Sequence, residues 1–142
     1  VGTLFSKIID GEIPGRFVWR DDDVVAFLPI ALLAPGHTLV VPIEPIDHWV
    51  DLDPALNAKV WQVAQSISQC LDSIYHPTKV GVLVVGEEVP HTHIHLVPFT
   101  ELSQMSFANQ DTNPSPETLD SQADRLRRAL REAGHAARVP DA

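Results

Sequence analysis

Hydrophobic and polar positions alternate along this chain in short, well-punctuated blocks. Phe17-Val18-Trp19 and Val24-Val25-Ala26-Phe27-Leu28 are apolar runs separated by Asp21-Asp22-Asp23, which predicts a β-hairpin with a polar turn. Thr38-Leu39-Val40-Val41, bounded by Pro35-Gly36 and Pro42, predicts a third strand. Val80 to Val85 predicts a fourth, and its nearly unbroken apolar character predicts a central place in the sheet. Thr92 to Val97 predicts a fifth, bracketed by Pro90 and Pro98.

Two stretches switch to helical spacing. Asp53-Pro54 is an N-cap with proline at the first helical position, and Leu56, Val60, Val63, Ile67, Leu71 and Ile74 then form one stripe. Ser115-Pro116-Glu117 opens a second helix, with Leu119, Ala123, Leu126 and Leu130 inward and Gly134 closing it. A short helix is predicted over Leu4 to Asp10. Strands, a helix and strands again predict an α+β domain: an antiparallel five-stranded sheet with one long packed helix and a C-terminal helix. The 142 residues suit one domain, with a core in 1–100, then a loop over 101–115, the C-terminal helix, and a loose tail over 135–142.

Composition narrows the partners. Ten basic against nineteen acidic residues give a net charge of −9, which disfavours nucleic-acid polymers and anionic membranes as partners. No apolar run approaches the roughly 20 residues that span a bilayer. Val1-Gly2-Thr3 does not read as a signal peptide, so a cytoplasmic location is expected. The one cysteine, Cys70, rules out an intrachain disulfide and a four-thiolate zinc site.

Three of the seven histidines, His91, His93 and His95, fall on the fifth predicted strand. Alternation points them to one face and Thr92, Ile94 and Leu96 to the other. Chance histidines on a surface strand rarely alternate so strictly. A metal site is a second reading, since an HxH pair can chelate zinc. However, His91 and His95 lie about 13 Å apart at about 3.3 Å per residue, so one ion does not reach all three. The row therefore reads as a strip of acid–base and nucleophilic groups. His76, before Pro77, reads as a helix end, and His135 as solvated. His48 either shapes the site or starts a loop.

Pro90-His91-Thr92-His93-Ile94-His95-Leu96-Val97-Pro98 resembles the signature of the histidine-triad family. Phe5 to Pro14, Ala26 to Ile30 and Ala34 to Pro42 are similar to further blocks of that family in the same order, and the resemblance covers residues 3–99. It implies a two-fold homodimer with a sheet continued across it, acting on a phosphate attached to a nucleoside. His93 matches the nucleophile, which carries a nucleotidyl intermediate. His95 and His37 match residues that contact phosphate oxygens or orient the site, and His91 has a supporting role. Phe5, Ile8, Phe27 and Ile30 match the walls of a base pocket. Glu87 and Glu88 stand where the family has neutral donors near the phosphates or leaving group.

The chain also departs from the family. Thr3 and Ser6 stand where many members have zinc-binding cysteines, so no metal and no other cofactor is expected. Pro29 replaces the acid that would bind the ribose hydroxyls. The resemblance implies a nucleotide hydrolase or nucleotidyl transferase. A nucleotide-binding or interaction protein with little turnover is the alternative, favoured by Pro29 and the Glu87-Glu88 loop. A metal-dependent site on His91 and His93 is the third reading.

Overall fold

The computed structural model describes residues 2–142. Its sheet has five antiparallel strands: β1 (Phe17–Arg20), β2 (Val24–Phe27), β3 (Thr38–Pro42), β4 (Lys79–Leu83) and β5 (Ile94–Phe99). Their order is β1-β2-β3-β5-β4. The helices are α1 (Leu4–Ile9), α2 (Pro54–Tyr75) and α3 (Pro116–Leu130). This is the expected α+β arrangement.

The local signals act as the sequence suggests. In the β1–β2 turn, Asp21 accepts the backbone N–H groups of Asp23 and Val24, each at 2.8 Å. Asp53 caps α2 by accepting from Ala55 and Leu56, and Ser115 caps α3 by accepting from Thr118. The left-handed His76 ends α2 and is exposed. Gly134 has φ +98°, a conformation that suits a residue without Cβ and breaks the helical path after α3.

Each sheet face has its own cover. Val18, Val24, Ala26, Val40, Ile94 and Leu96 pack with the apolar stripes of α2 and α3 in the main core. On the opposite face, Phe17, Val25, Phe27, Leu39 and Val41 pack with Phe5 of α1. The register links these layers: Val40 pairs with Ile94, and Leu39 with His95, so His95 emerges on the α1 face.

Three expectations are corrected. The Val80–Val85 run is not central. Its strand, β4, pairs only with β5 and lies at the sheet edge, with Val82 and Val85 exposed. An apolar run rich in valine reports strand propensity, not the strand's place in the sheet. The fifth strand starts at Ile94 rather than Thr92. The backbone N–H and hydroxyl of Thr92 both donate to Ile46 O, at 2.7 and 2.8 Å, so the 44–47 loop takes the place of a neighbouring strand there. At its other end β5 runs through Pro98, beyond the last β3 partner, Leu96.

The third correction concerns the chain's end, which is docked rather than loose. Val139 is buried in the main core, His135 meets Trp19 at a tilt with 5.2 Å between ring centroids, and Arg131 donates to Pro140 O. His135 is thus half-buried rather than solvated. Within the 101–115 loop, Leu102–Met105 and Phe107–Asn109 form short 3₁₀ turns.

Candidate active site

Four imidazoles converge at the sheet face beneath α1. His93 and His95 have ring centroids 4.9 Å apart, and His37 and His95 5.2 Å. Phe5 meets His93 edge-on at 4.8 Å and His91 at 5.8 Å. His37 arrives from the Ala34-Pro35-Gly36 turn before β3. Gly36 has φ +90°, and a Cβ there would lie 2.5 Å from the Tyr75 ring, so the turn requires glycine.

All four histidines are buried. A buried imidazole needs partners for its ring nitrogens, and those partners determine where its proton sits. His93 Nδ1 lies 2.7 Å from His91 O, which can only accept, so Nδ1 carries the proton and Nε2 keeps its lone pair. His37 Nδ1 accepts from Leu33 N–H at 3.0 Å. Its Nε2–H therefore donates to His95 Nδ1 at 2.9 Å, leaving His95 with its proton on Nε2. His91 Nε2 donates to Pro42 O at 2.7 Å, and its Nδ1 accepts from the Thr3 hydroxyl at 2.7 Å. With both nitrogens occupied, neutral His91 offers no lone pair to a metal.

Among the described residues, His93 Nε2 and His95 Nε2 have no hydrogen-bond partner, yet no buried side-chain nitrogen or oxygen is unpartnered. Both atoms therefore reach solvent. One is an acceptor with nucleophilic character and the other a donor, side by side.

Burial holds the row neutral. It pushes His95 down to about 4, helped by the adjacent His93. It pushes His37 down to about 3, helped by His95 and His93. His91 and His93 are also lowered by burial, against the opposing hydrogen bonds to Pro42 O and His91 O respectively.

The remaining predicted site residues divide. Phe5 and Phe27 are buried in one apolar cluster with half-buried Ile8 beside them. Ile30 does not join them and is 81% exposed. Glu87 and Glu88 lie exposed on the loop after β4, and Val89 beside them packs on the Phe5 cluster. Pro29 is half-buried, and His48 is exposed at the start of a 3₁₀ turn.

Three further residues touch the site. The Phe107 ring meets His95 edge-on at 5.2 Å, and no spacing pattern in the sequence announces it. Gln122 Oε1 accepts Gly36 N–H at 2.9 Å, so α3 holds the turn that carries His37. Its signal is a polar residue inside the stripe Leu119, Ala123 and Leu126. Thr3 has a signal too, as the N-cap of α1, but its contact with His91 is not readable from the sequence.

Residues 10–102 match the family model of the HIT domain. The chain belongs to the HIT domain family. A HIT-like protein of Borreliella burgdorferi is 38% identical over 102 residues, covering 67% of this chain and 73% of that protein. A Hit-like protein from Bartonella henselae, crystallised with an unknown ligand, superposes with a TM-score of 0.76 at 31% identity, over 90% of this chain and 96% of that one. A histidine triad nucleotide-binding protein from Sulfolobus tokodaii gives a TM-score of 0.79 at 21% identity, over 90% of this chain and 91% of that one, and so shows the shared fold alone. Phe107 and Gln122 lie outside the stretch matched by the HIT domain model, so residues after that stretch also touch the site.

Proposed function

We propose that this HIT protein is a nucleotide hydrolase or nucleotidyl transferase, releasing a nucleoside monophosphate from a phosphoramidate, phosphoanhydride or related substrate. The observation that carries the reading is the His93 tautomer: a neutral imidazole with Nδ1–H fixed on His91 O and a solvent-reaching Nε2 lone pair beside a donor on His95. His93 Nε2 attacks the α-phosphorus. A P–N bond forms, and the leaving group departs with the pair of the bond that breaks. Water then attacks the phosphorus, the P–N pair returns to Nε2, and the water proton passes to solvent. Two displacements replace one difficult step.

His95 Nε2–H faces the developing charge on a phosphate oxygen, and His37 keeps that proton on Nε2 by occupying Nδ1. Burial supports the chemistry, because a neutral His93 is nucleophilic at pH 7 whereas an imidazolium is not. Half-buried Ile8, backed by the buried rings of Phe5 and Phe27, supplies an apolar side for a base beside the triad. The test is to react the protein with a nucleoside phosphoramidate labelled at phosphorus, quench it in alkali, and map the label. A nucleotidyl group on His93 Nε2 is the expected result. A binding protein with little turnover, the reading favoured by Pro29, would retain ligand and leave no label.

The same proposal includes a homodimer. Among the described residues the β4 edge is unpaired, and exposed Val82 and Val85 lie on it or just beyond it. An apolar open edge is a template for pairing with a second copy. Trp61 is also exposed on α2, where a shallow groove is lined by Ala58, Gln62 and Gln65. Light scattering at micromolar concentration should give twice the mass of the chain; the mass of one chain would overturn the dimer.

A further inference from the structure

We infer that Thr3 is a positioning residue for the triad, its hydroxyl holding His91 in the one ring state that presents His93 for attack. The inference rests on His93 acting as the nucleophile. Pro42 O can only accept, so His91 Nε2 must donate to it at 2.7 Å. A neutral His91 then has a bare Nδ1, and the Thr3 hydroxyl, 2.7 Å away, must donate to it. With its proton committed, Thr3 Oγ1 is left as an acceptor. It takes the Ser6 backbone N–H at 3.0 Å and faces the Ser6 hydroxyl at 3.1 Å. Each donor thus meets an acceptor, and no alternative assignment with neutral His91 satisfies Pro42 O.

The contact joins two parts of the site. Thr3 caps α1, the helix that places Phe5 against His91 and His93. His91 in turn supplies the carbonyl that takes His93 Nδ1–H. One side chain therefore ties α1 to the orientation of the nucleophile, through a ring that is fully buried and has no water-facing way to satisfy a bare Nδ1. Removing the hydroxyl leaves that nitrogen unpaired. The ring then turns or admits water, and the carbonyl under His93 moves with it. A misplacement of about 1 Å in a reacting group costs on the order of 100-fold in rate.

The experiment compares Thr3→Val, Thr3→Gly and Thr3→Ser. Valine keeps the shape and removes the hydroxyl. Glycine also removes it while remaining a tolerated N-cap, so it serves where valine fails to fold. Serine keeps the hydroxyl and loses only the methyl group. Each is measured with adenosine 5′-phosphoramidate for kcat and KM, and by ¹⁵N NMR of the His91 ring at pH 7. Valine and glycine should lower kcat about 10- to 100-fold with KM within about threefold, and should change the His91 nitrogen shifts. Serine should restore both. Wild-type kcat and unchanged His91 shifts in valine or glycine would overturn the inference. So would a serine variant as impaired as valine, which would place the effect in methyl packing. If the wild type itself releases no AMP, the proposed activity fails, while the NMR comparison still decides whether Thr3 sets the His91 ring state.

Discussion

The strip running from His91 into β5 has two sides, and the contrast between them explains how the site is kept. Ile94 and Leu96 point into the main core beneath α2 and α3. His93 and His95 point to the α1 face and are almost equally buried. On the first side, burial is favourable by itself, at about 25 cal/mol per Å² of apolar surface removed from water. On the second, burial carries a desolvation cost that must be offset nitrogen by nitrogen. The protein meets it with Pro42 O, His91 O, Leu33 N–H, the Thr3 hydroxyl and the bond from His37 Nε2 to His95 Nδ1, and among the described residues leaves the two Nε2 atoms of His93 and His95 to solvent. The core side accepts any well-fitting apolar shape. The histidine side accepts one arrangement of protons.

Substitution at the centre of the histidine side should have the largest effect. His93→Ala is expected to reduce nucleoside monophosphate release by several orders of magnitude. That exceeds the roughly 10²–10³ typical of losing one charge-stabilising donor. Circular dichroism should show an unchanged fold, since Ile94 and Leu96 keep their places. Near wild-type release would remove the contrast in function between the two sides.

Acid should separate the sides next. Burial lowers the four histidines relative to an unfolded chain titrating near 6.5. Between the two values the unfolded state binds more protons, so stability falls as pH falls. The contribution is fully present above about 6.5 and is lost progressively toward about 4 for His95 and about 3 for His37. Each such group costs on the order of 1 kcal/mol per pH unit within its window. Urea midpoints measured from pH 7.5 to 4 should decline, and His37→Leu should flatten the decline. A profile that stays level below pH 6 would show that the row is not neutral by burial.

A cut on the core side should cost stability without this pH signature. Leu96→Ala is expected to destabilise by about 2–5 kcal/mol. Activity per folded molecule should remain within a few-fold, because the truncated side chain faces away from the imidazoles. A rate loss as large as that of His93→Ala would mean that the two sides are mechanically one.

The smallest expected effect is at the nucleotide's sugar. Pro29 has no side-chain acceptor for ribose hydroxyls, and it is only half-buried. Titration calorimetry with AMP and dAMP should give affinities within about tenfold, or roughly 1.4 kcal/mol. A stronger preference for AMP would assign ribose recognition to another residue, with Glu87 and Glu88 the first to substitute. Pro29→Asp should favour AMP.

Several features were legible because they depend on neighbours a few residues apart. The cap at Asp53 and the stripe from Leu56 to Ile74 define α2 from within, and the Asp21 turn closes its own hairpin. Alternation placed the triad histidines opposite Ile94, although β5 begins only after His93. Other features were hidden. Val80 to Val85 reads as a central strand because hydrophobicity does not distinguish cover by the same chain from an open edge. Ile30 sits in a block with Phe27, yet the chain turns it outward. Phe107 carries no periodic signal at all.

The sequence alone therefore determined which side chains share a face, since that follows from backbone period and local capping. Alternation marked three histidines as candidates, the family resemblance added His37, and helical spacing predicted that α2 would cover an apolar surface. Only the tertiary structure decided which nitrogen holds the proton in His91 and in His95. Those choices are made by Thr3 and Pro42 for His91 and by His37 for His95, partners 88, 49 and 58 residues away along the chain. Contacts at that separation are set by how the strands order and the helices dock, and no local pattern of residues encodes them.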